Sequence, residues 1–147
     1  MPVNPNRSFA PDATSSITLD GGQVAHRNHV EQSRILERRL YTVRPGVHTL
    51  VGNGLSNQTF IEAPEGVIAI DTGESVEEMR DAIAELRTVS DRPIVAVLYT
   101  HFHYVGGTPA VFDDGATDDI PIWAHEKVAY NRARTASEIS PAYSRGL

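Results

Sequence analysis

The stretch that decides the fold is residues 94–108, which read IVAVLYTHFHYVGGT. The apolar run Ile94–Tyr99 predicts a buried strand that leads directly into His101 and His103. Because side chains alternate along an extended segment, the two imidazoles are expected to project to the same side. A protein that lacks cysteine can offer two nitrogen ligands to a zinc-like ion in this way.

Composition bounds the class of protein. The 147 residues suffice for one domain with a core, and the net charge of −6 argues against nucleic acid as the main partner. The absence of cysteine excludes disulfides, thiolate catalysis and cysteine-type zinc sites. We predict no membrane insertion, because the longest apolar run is far shorter than the roughly 20 residues of a membrane helix. The N-terminus lacks the apolar region of a secretory signal, so we expect a cytoplasmic protein.

The chain is predicted to begin with a flexible arm over residues 1–24, which are rich in Pro, Ser, Asn, Asp and Gly. A domain over residues 25–147 follows and begins with a helix over 28–40. Turn signals of the Pro-Gly and Gly-Asn-Gly type then separate short strands, which predicts an antiparallel meander. The predicted strands are Tyr41–Arg44, Val47–Val51, Thr59–Glu62 and Val67–Ile70.

A strand–helix–strand unit follows the meander. The helix is predicted over residues 75–89, with Ser75 as N-cap and an apolar stripe that includes Met79 and Ile83. After the strand Ile94–Tyr99, we predict a short strand over Ile120–Trp123 and a helix over 125–136. No regular element is predicted for the tail, 137–147, which contains Pro141.

These residues carry a resemblance. A strand that ends in Asp71-Thr72-Gly73, a helix, and a strand that ends in Thr100-His101-Phe102-His103 before Gly106-Gly107 resemble the metallo-β-lactamase superfamily. The segments 55–62 and 139–146 are similar to its alkyl sulfatase branch. The resemblance implies an α/β fold of the αββα sandwich type, of which this chain is similar to the N-terminal half: a mostly antiparallel, mixed sheet with flanking helices.

The resemblance also implies a function. Alkyl sulfatases hydrolyse small-molecule sulfate esters with two zinc ions, so the chain is expected to be a zinc-dependent hydrolase in which water activated by the metal attacks the ester. His101 and His103 match the family's ligands to the first metal, and Asp71 is expected to orient the histidine loop. Tyr104 and Asn57 are further candidates, for contact with the substrate or for shaping a loop. The resemblance identifies no catalytic acid or base.

One departure from the family pattern leaves an alternative open. The family reads Thr-His-x-His-x-Asp-His-x-Gly-Gly, and the Asp and third His have no counterpart here; the simplest alignment drops two residues between Tyr104 and Val105. The chain is therefore either part of such a hydrolase or a truncated, non-catalytic relative that acts as a binding or inactive fragment.

Three further expectations concern surfaces and the other histidines. An uncovered apolar sheet face predicts self-association of the chain, as a homo-oligomer or less specifically. His26, His29 and His48 are expected to be solvated surface groups. His125 is expected to open a helix on the far side of a strand and is not expected to be a metal ligand.

Overall fold

The computed structural model describes residues 14–115 and 119–146. Most of the arm predicted over residues 1–24 lies outside these ranges, as do residues 116–118 and 147 of the predicted domain. The chain divides into two compact units, Met1–Glu37 and Arg38–Leu147. The division falls later than the predicted boundary between residues 24 and 25.

The described part of the first unit is a hairpin followed by a helix. Strands β1 (Ser16–Thr18) and β2 (Val24–His26) pair antiparallel, so ordered structure begins within the range predicted as an arm. Helix α1 (Arg27–Ile35) starts where the side chain of His26 accepts a hydrogen bond from the Asn28 amide. The helix predicted over residues 28–40 is therefore present but ends earlier, because the chain is extended again from Arg39.

The second unit is built on a six-stranded sheet with the order β3-β4-β5-β6-β7-β8. Pairing is antiparallel from β3 to β6 and parallel from β6 to β8, as expected when a helical crossover follows a meander. The predicted mixed sheet is confirmed. These strands are β3 (Arg39–Arg44), β4 (Val47–Val51), β5 (Gln58–Ala63), β6 (Gly66–Ile70), β7 (Ile94–Leu98) and β8 (Ile122–Trp123).

Helices cover one face of this sheet. Helix α2 (Val76–Leu86) begins at the predicted N-cap, where Ser75 Oγ accepts from the Glu78 amide at 3.2 Å, and it buries its apolar stripe. Helix α3 (Thr108–Asp113), which periodicity did not predict, packs beside it and buries Ala110 and Val111. Both helices and alternate residues of the central strands, such as Phe60 and Val97, form one core.

The C-terminal region corrects the sequence prediction. Helix α4 (Val128–Arg134) begins later than predicted and continues through a π-helical segment, Thr135–Ile139, into α5 (Ser140–Gly146). The tail is therefore helical rather than irregular. Pro141 is the second residue of α5 and follows directly on the π-helical segment.

His48 is a second correction. It is only 6% exposed, whereas the sequence predicted a solvated group at a strand edge. Its Nδ1 lies 3.1 Å from Thr42 Oγ1 and its Nε2 lies 3.5 Å from a Glu62 carboxylate oxygen. These contacts across three strands satisfy the polar ring, which explains why burial is tolerated. His26 and His29 are exposed, as predicted. In the part of the chain that the structure describes, no helix is long and apolar enough to cross a membrane.

Candidate metal centre

The candidate site lies where the parallel strands β6 and β7 end. The Asp71 amide donates to the carbonyl of Leu98 at 2.9 Å, which brings the residues after each strand together. Asp71 has a φ of +56°, and no other non-glycine residue in the described ranges has a positive φ. Such a conformation costs free energy and persists only where surrounding contacts enforce it, which is typical of functional sites.

Both oxygens of the Asp71 side chain bond to Thr100. The Asp71 carboxylate is 7% exposed; one oxygen accepts from the Thr100 amide at 2.9 Å and the other from the Thr100 hydroxyl at 2.6 Å. The same hydroxyl oxygen lies 2.9 Å from Nδ1 of His101. Asp71 therefore reaches His101 through Thr100 rather than directly.

This chain of hydrogen bonds sets the tautomer of His101, that is, which ring nitrogen carries the proton in the neutral imidazole. A carboxylate only accepts, so the single proton of the Thr100 hydroxyl is used toward Asp71. The hydroxyl oxygen must then accept from His101, which places the imidazole proton on Nδ1. In the neutral ring this leaves a lone pair on Nε2, the form that binds a metal.

His101 and His103 are brought together as predicted from their spacing. Their ring centroids lie 5.2 Å apart with an angle of 63° between the ring planes. Two imidazoles that share one tetrahedral zinc, with Zn–N bonds of about 2.0–2.1 Å, hold their centroids about 5 Å apart. The separation therefore fits two of the four positions around one ion. In the described ranges no three His, Cys, Asp or Glu side chains form a group that could hold a metal ion.

The loop after the histidines is closed by backbone contacts. The Tyr104 carbonyl accepts from the Thr72 amide at 2.9 Å, and the Gly106 amide donates to the carbonyl of Gly73 at 3.0 Å. A Cβ atom at Gly107 would lie 1.9 Å from the carbonyl oxygen of Thr72, so only glycine allows this approach. The loop thus remains docked on β6 although the sequence lacks the two residues expected between Tyr104 and Val105.

Tyr104 and Asn57 occupy different environments. The Tyr104 ring is partly buried and meets the His101 ring edge-on, with centroids 4.7 Å apart. Asn57 is exposed, and within the described residues its side chain has no hydrogen-bond partner. Its neighbours Ser56 and Gln58 are buried and bonded to each other at 2.8 Å. Tyr104 therefore contacts a candidate ligand, whereas Asn57 lies on a loop whose flanks are anchored.

A recess opens beside His101. Its volume is about 190 Å³, and its polar lining residues are Thr100, His101, His125, Lys127 and Asn131. His125 therefore lines the same recess as His101, although it follows β8 rather than β7. The signal was present in the sequence: His125 follows β8, and parallel neighbouring strands end at the same edge of a sheet.

Comparison with known proteins agrees with this geometry. The family model described as "Metallo-beta-lactamase superfamily" matches residues 51–129, which is more than half of the chain and includes Asp71, Thr100, His101 and His103. The chain belongs to the metallo-beta-lactamase superfamily. Membership of this superfamily accounts for the mixed sheet, for the helices on one of its faces and for the histidine loop at a strand end.

The curated relatives are alkylsulfatases. A linear primary-alkylsulfatase from Pseudomonas sp. (strain ATCC 19151) is 41% identical over 85 residues, and an (R)-specific secondary-alkylsulfatase from Pseudomonas sp. is 33% identical over 78 residues. These matches cover 55% and 51% of this chain but 16% and 12% of the relatives. The chain thus spans less than a fifth of the length of either protein.

Solved structures show the same fold. A double mutant of the sec-alkyl sulfatase PisA1 matches 84% of this chain and 23% of its own, with a TM-score of 0.67 and 20% identity. A metallo-beta-lactamase from Cronobacter sakazakii matches 74% of this chain and 40% of its own, with a TM-score of 0.53 and 19% identity. The predicted kinship with alkyl sulfatase-like proteins, over only a part of their length, is confirmed.

Proposed function

We propose that this chain carries the histidine loop of a metal-dependent hydrolase that acts on sulfate esters. The observation that supports it best is the chain of hydrogen bonds from Asp71 through Thr100 to His101, which prepares Nε2 of His101 as a ligand. The 41% identity to a linear primary-alkylsulfatase supports the substrate class, a small-molecule sulfate ester. The cytoplasmic location expected from the sequence stays a prediction.

Zinc is the proposed metal, with His101 and His103 as two of its ligands. When bound, such an ion acts as a Lewis acid and lowers the pKa of a coordinated water. The described residues fit half of one tetrahedral site and do not fit a two-metal centre. Their own contribution is therefore limited to binding and orientation: Asp71 and Thr100 hold the His101 ring, and the Gly106-Gly107 turn holds the loop.

Zinc binding tests the proposal directly. Metal content of the purified chain is measured by mass spectrometry after equilibration with zinc, and then in His101→Ala and His103→Ala. We expect near-stoichiometric zinc in the unmutated chain and loss in both variants. His29→Ala, which removes an exposed histidine of the first unit, is the matched control and should leave the zinc content unchanged. An unmutated chain that takes up no zinc rejects the proposal.

A second candidate is a non-catalytic relative of these hydrolases. It is favoured by the missing Asp-His pair and by the lack of a third ligand in the described ranges. The docked loop supports it too, because the contacts of Thr72, Gly73 and Val105 that join the strand ends are made by the protein's own backbone. Hydrolysis of an alkyl sulfate by the zinc-loaded chain at a rate lost in His101→Ala would reject this candidate.

We also infer self-association through the sheet face opposite α2. The pairing register places Tyr41, Thr49, Thr59, Ile70, Leu98 and Trp123 in one row across all six strands. Trp123 is 65% exposed, and apolar surfaces of this kind favour association. Sedimentation velocity should show dimers or larger species that dissociate in Trp123→Glu, whereas a concentration-independent monomer would contradict the inference.

A further inference from the structure

The recess beside His101 has a wall that the metal proposal does not use. His125, Lys127 and Asn131, which line it, all follow β8 in the sequence. None of the described residues that line the recess is acidic, although Glu126 is adjacent in sequence to two of them. Lys127 is the only lysine in the chain. This wall therefore combines the positively charged side chain of Lys127 with the neutral hydrogen-bonding groups of His125 and Asn131.

A local hydrogen bond determines what His125 presents to the recess. The Lys127 backbone amide donates to Nδ1 of His125 at 3.2 Å. Because Nδ1 accepts this proton, the proton of the neutral imidazole must be on Nε2. A protonated nitrogen has no lone pair for a metal, so His125 in this arrangement is a hydrogen-bond donor. The two neutral rings are thus opposite tautomers, because Nε2 carries the proton in His125 and the lone pair in His101.

The remaining groups extend this donor set. The Lys127 ammonium group only donates, and the Asn131 amide has two N–H donors beside its carbonyl oxygen. Donors of this kind match the oxygens of a tetrahedral oxyanion, and the charged donor makes the stronger bond. The volume of about 190 Å³ is smaller than the 300–1,000 Å³ usual for pockets that hold a drug-sized ligand. It fits a small head group and not a whole alkyl chain.

We propose that this recess binds a tetrahedral oxyanion, with His125, Lys127 and Asn131 as its positioning residues. The inference rests on the proposed function in one respect: the anion would be the head group of the sulfate ester, held beside the metal ligands. Free sulfate has the same chemistry as the ester head group. The experiment must therefore compare the two, and it must work without metal.

The single lysine makes the test specific. The metal-free chain, prepared with a chelator, is acetylated slowly with an amine-reactive reagent, and modification of Lys127 and of the N-terminal amine is followed by peptide mass spectrometry. The probes are inorganic sulfate and ethyl sulfate, each compared with chloride at equal ionic strength. At a probe concentration of about twice Kd, two thirds of the sites are filled, so acetylation of Lys127 should slow about threefold. The rate at the N-terminal amine should not change.

Two variants separate this site from a general effect of salt. His125→Phe and Asn131→Leu should abolish the protection of Lys127, whereas His29→Phe, at an exposed histidine of the first unit, should retain it. Protection by both probes supports the head-group site, and protection by sulfate alone supports an oxyanion site for the free ion. Equal rates in sulfate, ethyl sulfate and chloride would overturn the inference. Because no metal is present, this result is independent of whether the chain binds zinc.

Discussion

The tautomers of His101 and His125, the two histidines that line the recess, are set by different hydrogen bonds. The proton of His101 is positioned, through Thr100, by the buried carboxylate of Asp71, which follows the neighbouring strand β6, whereas that of His125 is positioned by an amide two residues away. The first arrangement exists only when β6 and β7 are packed side by side. The second needs only the local turn before α4. The tautomer of His101 is therefore coupled to the packing of the sheet, whereas that of His125 depends on a local hydrogen bond.

The largest effect is expected from breaking the packing that supports the His101 side. In Gly107→Ala, the new methyl group would lie 1.9 Å from the Thr72 carbonyl oxygen and 2.6 Å from Met79 Cβ. Both are fixed by a strand end and a buried helix, so neither can move freely. We expect a loss of about 3 kcal/mol or more in the free energy of unfolding, measured by urea denaturation.

Gly146→Ala is the matched control for this change. No atom lies within 4 Å of a Cβ at Gly146, which is in α5. Its stability should change by less than about 1 kcal/mol, in the favourable direction if at all, because alanine suits a helix better than glycine. A Gly107→Ala variant as stable as the Gly146→Ala variant would show that the loop is not tightly docked on β6.

The next largest effect should change the chemistry of His101 without unfolding the chain. In Asp71→Asn, the side-chain oxygen must face the Thr100 amide, so the new NH₂ group faces the Thr100 hydroxyl and donates to it. The hydroxyl then donates to Nδ1 of His101, which moves the ring proton to Nε2. We expect zinc affinity to fall about 10- to 100-fold. Nitrogen NMR of the imidazole should report the tautomer change.

A pair of Thr100 variants controls for nonspecific damage. Thr100→Ser keeps the hydroxyl and should keep the proton of His101 on Nδ1. Thr100→Val removes the hydroxyl that connects Asp71 to His101. The conformation of Asp71 should survive in Asp71→Asn because asparagine tolerates a positive φ. If His101 in Asp71→Asn still carries its proton on Nδ1, then the hydrogen-bond chain does not set the tautomer, and the contrast with His125 fails.

The two sides also differ in how far they could be predicted from the sequence. Turn residues between short strands and the apolar run Ile94–Tyr99 predicted the central strands, and the spacing of His101 and His103 predicted their neighbouring rings. The role of Thr100 could not be predicted, because it depends on the side-by-side packing of two strands that are distant in sequence. The position of His125 beside His101 was not predicted, because the sequence indicated the strand before it, Ile120–Trp123, but not the parallel pairing of that strand with β7.

Tertiary context explains the other failures as well. Helix α3 is too short to show a helical period, and it begins at Thr108-Pro109, which resembles a turn. The buried position of His48 depends on a threonine and a glutamate from adjacent strands, which satisfy both ring nitrogens. In each case a local pattern was outweighed by contacts that form only after the sheet is assembled.

The smallest effect is expected from Tyr104→Ala, which asks whether ring packing, rather than the hydrogen-bond chain, holds His101. The Tyr104 ring contacts His101 at a centroid distance of 4.7 Å, an interaction worth about 0.5–1.5 kcal/mol. The carbonyl that accepts from Thr72 belongs to the backbone and is retained. We expect the free energy of unfolding to fall by an amount near the lower end of that range, with no change of the His101 tautomer. Tyr104→Phe keeps the aromatic ring and is the control, and the two variants should bind zinc with similar affinity. A tautomer change as large as in Asp71→Asn would instead assign the orientation of His101 to the aromatic contact.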